Sequence, residues 1–233
     1  MEKQVKPKFE AIAFDLDGTL YPNFSFYWRA APSVIKNLKF FRAFNSARGR
    51  LHREAEDETV SYYDAGPGSF YDKQGRYVGE ALKRDPGEMR DAIERIIYRG
   101  WEPLYKKVKL FPHALDVLKE FRQMGIKTAL LSDFPPEAKI EYLGLSGLWD
   151  AVLCTEELGC LKPHPYPFVK TAEAIGYAPS EMLYVGNSFP FDVLGAQKAG
   201  MKAAWIRSHR GSKDRKADFA FSDYRQLRDY VLT

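Results

Sequence analysis

The chain contains a series of short apolar runs, each ending in small or polar residues. The first is AIAF at residues 11–14, which stops abruptly at Asp15, Asp17 and Gly18. Five similar runs occupy residues 126–131, 151–153, 182–185, 202–206 and 219–221. Runs of this length between polar and glycine residues are typical of strands that a parallel sheet buries on both faces.

Between these runs, apolar residues recur at helical spacing. One such stretch starts near Pro112 and stops at Gly125, as proline and glycine commonly mark the two ends of a helix. Strands that alternate with helices predict an α/β fold built on a doubly wound parallel sheet with right-handed crossovers. In such sheets the ligand crevice lies at the carboxyl ends of the strands.

Residues 21–107 follow a different pattern. They are rich in aromatic residues and have apolar positions at helical spacing, but no convincing β-type run. We therefore predict a helical cap over residues 21–107, inserted into a core of residues 1–20 and 108–233. Within the cap, residues 64–79 contain four glycines and Pro67, which predicts a loop between helices.

Composition places the chain in an ordinary class. It has 233 residues, of which 45% are hydrophobic and 28% charged, as is usual for a globular protein with one or two domains. No apolar run approaches the roughly 20 residues needed to cross a bilayer, and no secretory signal is evident at the amino terminus. With two cysteines and no disulfide framework, we expect a cytoplasmic protein without a membrane partner.

The positive charge is concentrated in the predicted cap. Residues 21–107 hold 16 Lys and Arg against 12 Asp and Glu, a surplus of four that equals the net charge of the whole chain. This surplus permits two interpretations: a positive face for an anionic substrate or nucleic acid, or a solvated helix pair whose charges offset one another. The second is favoured, so nucleic acid is an unlikely partner.

Polar side chains follow three of the predicted strands and one loop. In chain order they are Asp15, Asp17, Ser132, Lys162, Asn187 and Asp192. A carboxylate nucleophile, a second carboxylate as acid and base, and a hydroxyl with a cation to hold phosphoryl oxygens suit phosphoryl transfer. Carboxylates with water and phosphate also suit Mg²⁺.

Four motifs carry a resemblance to a known family. DLDGTL at residues 15–20, Ser132 in LLSDF, Lys162 in LKPHP and GNSFPFD at residues 186–192 resemble the haloacid dehalogenase superfamily, in its phosphatase-like branch with an α-helical cap. The resemblance covers residues 9–20 and 108–232 and identifies the cap by position only. It implies a Rossmann-like core.

The resemblance also implies roles for the motif residues. Asp15 would attack phosphorus and form an aspartyl-phosphate, while Asp17 would protonate the leaving group and then activate water. Ser132 and Lys162 would bind the transferring phosphoryl group, and Asp133, beside Ser132, is placed with them. Mg²⁺ would be held by Asp15, the Asp17 carbonyl and the fourth motif, through Asn187 and Asp192.

Two positions depart from the family pattern. Asn187 stands where an Asp is usual, so one charged metal ligand is replaced by an amide and metal affinity should fall. Asp133 stands where relatives often have Asn, which adds a carboxylate near the same crevice.

We therefore predict an Mg²⁺-dependent phosphatase that hydrolyses a small phosphorylated metabolite. A dehalogenase of the same superfamily is an alternative, although that branch lacks the carboxylate that Asp17 supplies. A phosphomutase would keep the same four motifs. A catalytically weak relative that binds a phosphorylated ligand or a protein is the third alternative, suggested by Asn187.

Overall fold

The computed structural model describes residues 7–57, 67–207 and 216–233, and its centre is a six-stranded sheet. The strands are β1 (Ala11–Phe14), β2 (Lys127–Ser132), β3 (Ala151–Cys154), β4 (Met182–Gly186), β5 (Lys202–Ile206) and β6 (Phe219–Phe221). Every neighbouring pair is parallel, in the order β3-β2-β1-β4-β5-β6. The predicted α/β class and the six strands are confirmed.

Strand β1 is the middle of this arrangement and the point where the strand order reverses. Phe14 pairs with Leu130 of β2 on one side and with Val185 of β4 on the other. All four residues of β1 are fully buried, which explains its unbroken apolar sequence. The residues that follow β1, β2 and β4 therefore meet at one edge of the sheet, at the topological switch point.

Helices connect the strands on both faces of the sheet. They are α6 (Ala114–Gln123), α7 (Glu137–Tyr142), α8 (Pro165–Ile175), α9 (Leu194–Lys198) and α10 (Tyr224–Leu232). The labels α1–α5 belong to the insertion, which lies between β1 and α6. A π-helical turn at Phe189–Val193 leads into α9. Apolar residues of α6 and α10 pack in one buried cluster with β1 residues Ile12 and Phe14, while Phe168 of α8 and Ala196 of α9 pack in another with Ala11 and Ala13.

The described part of the insertion is mostly helical. It comprises α1 (Asn23–Lys36), α2 (Leu38–Ala55), α3 (Pro67–Leu82), α4 (Pro86–Ile93), a π-helical turn (Glu94–Tyr98), the short α5 (Arg99–Trp101) and a 3₁₀ turn (Glu102–Lys107). The bounds of the cap as a separate unit stay a prediction. Phe26, Ala30 and Tyr105 of the insertion pack in the same apolar cluster as the sheet, whereas Phe41 and Ile97 belong to a separate one.

The predicted loop over residues 64–79 is wrong for residues 67–79, which lie in α3; residues 64–66 are outside the described part of the chain. The glycines there serve helix packing. A Cβ on Gly75 would lie 2.8 Å from the carbonyl oxygen of Pro86, and one on Gly79 would lie 2.8 Å from that of Arg84. The missing side chains let α3 approach the start of α4 closely.

None of the helices in the described ranges is long and apolar enough to span a bilayer.

Candidate active site

Asp15 follows β1 directly, and its carboxylate is buried at the sheet edge. Oδ1 accepts a hydrogen bond from Lys162 Nζ at 2.8 Å, and Oδ2 accepts one from Thr19 Oγ1 at 2.7 Å. Burial raises the pKa of Asp15 to about 7, although the attraction of Lys162 opposes this shift. Two donors on opposite oxygens hold the carboxylate in one orientation.

Lys162 lies in the loop between β3 and α8 and is the centre of a buried charge network. Its Nζ is 2.8 Å from Asp15 Oδ1 and 2.8 Å from Asp192 Oδ1. Asp192 Oδ2 accepts hydrogen bonds from the backbone N–H groups of Asn187 and Ser188. Burial alone would lower the pKa of Lys162, but the surrounding carboxylates raise it well above its usual value. The ammonium therefore stays charged between two carboxylates.

Asp17 has two donors of its own. The hydroxyl of Tyr21 donates to Oδ1, and Lys139 Nζ lies 2.5 Å from Oδ2. Lys139 is 4% exposed and comes from α7. Burial opposes its charge, but the Asp17 carboxylate outweighs burial and raises the pKa of Lys139. Asp17 is thus oriented beside a permanent cation.

Ser132 and Asp133 end β2. Ser132 is fully buried, and its Oγ accepts a hydrogen bond from the backbone N–H of Phe134 at 3.2 Å. Asp133 Oδ1 accepts a hydrogen bond from Thr155 Oγ1 at 2.8 Å. Burial would raise the pKa of Asp133, but Lys162, His52 and Arg48 lower it. The role of Asp133 in phosphate binding stays a prediction.

Asn187 follows β4 and lies against the turn after β1. Thr19 Oγ1, which bonds Asp15, is also 3.4 Å from Asn187 Oδ1. Gly18 adopts φ +88°, and a Cβ there would lie 2.3 Å from Asn187 Nδ2. Glycine is therefore needed at this turn for its backbone conformation and for the space that Asn187 occupies.

Oxygen atoms suitable for a hard cation gather at this edge. Asp15, Asn187 and Asp192 offer two carboxylates and an amide, and the main chain of Asp17 offers a carbonyl. Within the described ranges, no three His, Cys, Asp or Glu side chains are grouped as a metal site. The all-oxygen donor set fits Mg²⁺.

A cavity of about 790 Å³ opens between the sheet edge and the inserted helices. Asp17, Asp133 and Lys139 line its inner side. Nine aromatic side chains line it as well: Tyr21, Phe26, Tyr27, Phe44, Tyr98, Trp101, Tyr105, Phe134 and Tyr142. The volume suits an organic ligand of moderate size.

A buried ion pair joins the insertion to the core beside this cavity. Arg48 of α2 donates to Glu156, which follows β3, and both residues are buried. Burial lowers the pKa of Arg48, but Glu156 outweighs it and raises the value above the usual one. The Arg48 guanidinium also lies 4.4 Å from the centre of the Phe134 ring.

His52, one turn further along α2, reaches the same loop as Lys162. Its Nδ1 is 2.8 Å from the carbonyl oxygen of Lys162, and since a carbonyl only accepts, the proton lies on Nδ1. The ring stacks on Phe191 at 4.3 Å. Burial lowers the pKa of His52, and the bond from Nδ1 to the backbone fixes the orientation of the ring.

The structure thus brings Asp15, Lys162 and Asp192 into direct contact and connects Asn187 to them through Thr19. Sequence reasoning missed Lys139, Tyr21 and Arg48. Arg48 had a signal: it occupies the apolar face of α2, in register with the buried Phe41, Phe44, Leu51 and Ala55. A charged residue on such a face needs a buried partner.

Comparison with known proteins places this chain in a family. Residues 9–200 match the family described as haloacid dehalogenase-like hydrolase. The chain is 28% identical over 232 residues to the glyceraldehyde 3-phosphate phosphatase of Methanopyrus kandleri, covering 95% of this chain and 97% of that protein. It is 25% identical to haloacetate dehalogenase H-2 of Moraxella sp. strain B, covering 97% and 94% respectively.

A solved structure, that of a HAD phosphatase from Thermococcus onnurineus, superposes with a TM-score of 0.66 at 25% identity. It covers 94% of this chain and 96% of that one. The family match spans most of the chain and contains all four motifs with Asp15, Ser132, Lys162 and Asp192. The protein belongs to the haloacid dehalogenase-like hydrolases.

Proposed function

We propose that this protein is an Mg²⁺-dependent phosphatase that hydrolyses small organic phosphate monoesters through an aspartyl-phosphate on Asp15. One observation carries the proposal: the buried Asp15 carboxylate is oriented by Lys162 and Thr19, and a second carboxylate, Asp17, lines the cavity two residues later. A nucleophile and an acid–base group so placed are what covalent hydrolysis of a phosphate ester requires.

In the first step, an Asp15 oxygen attacks phosphorus and the bond between phosphorus and the ester oxygen breaks. Lys162 and the Ser132 hydroxyl hold the phosphoryl oxygens. The leaving oxygen takes a proton from Asp17, which Lys139 holds in place through its contact with Oδ2. The two donors on Asp17 keep it aimed at the cavity, where the leaving group lies.

In the second step, Asp17 takes a proton from a water molecule, which attacks the phosphorus of the aspartyl-phosphate. Inorganic phosphate leaves and the Asp15 carboxylate is regenerated. The aromatic walls of the cavity limit access of other water to the acyl phosphate.

The metal ion expected for this chemistry would be held by Asp15, the Asp17 carbonyl, Asn187 and Asp192. When bound, it supplies positive charge that stabilises the phosphoryl oxygens in the transition state. The protein provides two carboxylates for it, the lower part of the range usual for Mg²⁺. Substrate phosphate would add negative charge, so metal and substrate should bind cooperatively.

Because one relative is a dehalogenase, the main alternative reaction is an attack of the Asp15 carboxylate on carbon instead of phosphorus. Asp17 favours the phosphatase, because an acid–base carboxylate held by Tyr21 and Lys139 serves a leaving alkoxide, whereas a halide needs no proton. A phosphomutase would return the phosphoryl group to a second hydroxyl of the substrate.

The test is release of inorganic phosphate from para-nitrophenyl phosphate and a panel of phosphorylated metabolites, with and without Mg²⁺. Chloroacetate is assayed in parallel for halide release. We expect Mg²⁺-dependent phosphate release and no halide release. Halide release without phosphate release would contradict the proposal, and a product isomer of the substrate would indicate a mutase.

A further inference from the structure

The walls of the cavity carry a charge opposite to that of the chain. Seven carboxylates line it: Asp17, Glu94, Glu102, Asp133, Glu137, Glu141 and Glu157. Three cations do so: Arg48, Arg99 and Lys139. The lining thus has a surplus of four negative charges, whereas the whole chain has a net charge of +4. The negative charge is therefore a local property of the cavity lining, because the chain as a whole is positively charged.

Each of these cations is already paired with a carboxylate. Lys139 is bound to Asp17 and Arg48 to Glu156. Arg99, at the outer side, lies 2.9 Å from Glu94 and 3.4 Å from Glu102. An anionic group on a ligand would therefore have to displace an existing ion pair to find a positive partner.

Three of the carboxylates are in the opposite situation. In the ranges that the structure describes, no ion pair is formed by Glu137, Glu141 or Glu157. Glu137 and Glu157 line the same cavity, and burial first, and then the charge of Glu137, raise the pKa of Glu157. A cation between them would relieve this repulsion.

The aromatic part of the lining also favours a cationic ligand. Nine aromatic rings line the cavity, against one aliphatic side chain larger than proline, Ile97. Three of the rings already face cations: Lys139 Nζ lies 5.3 Å from the centre of Phe134 and 5.5 Å from that of Tyr105, and Lys106 Nζ lies 4.9 Å from that of Tyr142. The negative faces of aromatic rings attract ammonium groups, and several rings around one site bind quaternary ammonium ligands.

We infer that the substrate of the proposed phosphatase is a phosphate monoester whose leaving alcohol carries an amine or quaternary ammonium group. The inference rests on the proposed function, because it concerns the half of the substrate that lies outside the sheet edge. The phosphoryl group binds to Lys162 and Ser132 at the inner end. The ammonium lies among the aromatic rings near Glu137 and Glu157, and anionic leaving groups are rejected.

The experiment compares three esters of similar size: choline phosphate, its uncharged carbon isostere neohexyl phosphate, and the anionic carboxypropyl phosphate. We expect kcat/KM to fall in that order, by about fivefold or more at each step. In a Glu137→Gln, Glu157→Gln double variant the ratio between the first two should fall towards one. Glu10→Gln, an exposed carboxylate just before β1, is the matched control and should leave the ratio unchanged.

Equal or faster turnover of the neutral or anionic ester would overturn the inference, and so would a cation preference that the double variant retains. Either result leaves the proposed phosphatase in place. Failure of the proposed function has a different signature: no phosphate released from any of the three esters or from para-nitrophenyl phosphate, with Mg²⁺ present.

Discussion

The sheet edge and the inserted helices differ in how far the charged side chains around the cavity are buried and paired. At the sheet edge, Asp15, Lys162 and Asp192 are buried and bonded to one another. On the inserted helices that line the cavity, carboxylates such as Glu94 are exposed, and aromatic rings line the space between the two regions. The buried network fixes one set of distances and thus one reaction, whereas the exposed lining can vary without disturbing it.

The two regions meet at a few contacts that belong to both. The Arg48–Glu156 pair ties α2 to the loop after β3, and Lys139 of α7 ties Asp17, the proposed acid–base carboxylate, to the cavity wall from the core side. If the division is correct, changes at the sheet edge should affect all substrates alike, and changes at the contacts should depend on the substrate or affect folding.

The largest effect is expected from Asp15→Asn. An amide is a far weaker nucleophile than a carboxylate, so kcat should fall by about 10³-fold or more for every substrate, with the order of substrate preference unchanged. Steady-state kinetics on at least two phosphate esters measure both quantities. A circular dichroism spectrum matching wild type is the control for folding, and a variant with most of its activity would contradict the nucleophilic role of Asp15.

The contact between the regions is tested by Arg48→Met. Removal of the guanidinium leaves Glu156 buried without its partner, which should cost about 3–5 kcal/mol in the free energy of unfolding. Urea denaturation measures this change. Arg50→Met is the matched control on the same helix, because its pairs with Glu54 and Glu80 are exposed and should contribute less than about 1 kcal/mol.

Adding Glu156→Leu to Arg48→Met should recover part of the lost stability, since no buried charge then remains. A loss no larger than that of Arg50→Met would show that the pair does not hold the helices to the core.

Lys139→Met should separate substrates by their leaving groups. Loss of the ammonium removes a group that orients the Asp17 carboxylate, so esters of alkyl alcohols should slow by about 10²-fold, the usual scale of general acid catalysis. Para-nitrophenyl phosphate, whose leaving group needs little protonation, should change by less than about threefold. An equal loss for both types of ester would assign Lys139 to binding or folding instead.

The smallest effect is expected from Asn187→Asp. A third carboxylate should lower the Mg²⁺ concentration for half-maximal activity several-fold, with little change in kcat at saturating metal. Titration of activity with Mg²⁺ measures this shift. Should wild type have no activity at any Mg²⁺ concentration while Asn187→Asp gains it, the natural protein would be a ligand-binding relative.

Much of the fold could be predicted from the sequence because β1 and its neighbours are buried on both faces and therefore read as unbroken apolar runs. The residues of the sheet edge could be predicted for a related reason: Asp15, Ser132 and Asn187 each lie within one or two residues of a strand end. Their position directly beside a strand end along the chain is enough to put them at the sheet edge.

The helical contacts, both within the insertion and in α7, were harder to predict because they join residues that are distant in sequence. The glycines of α3 suggested a loop, yet Gly75 and Gly79 are needed for the close approach of α4. Lys139 reaches Asp17 across 122 positions, and nothing local to EAKIEY distinguishes it from a solvated lysine. The roles of such residues can be recognised only once the packing of the helices is known.

The measurement that tests the account most directly is detection of the covalent intermediate. The enzyme is mixed with substrate and Mg²⁺, quenched in acid within one turnover, and digested for mass spectrometry. The account predicts one added phosphoryl group on the peptide that contains Asp15, and none in the Asp15→Asn variant. Rapid phosphate release with no phosphorylated Asp15 at any quench time, or a phosphoryl group on another residue, would contradict it.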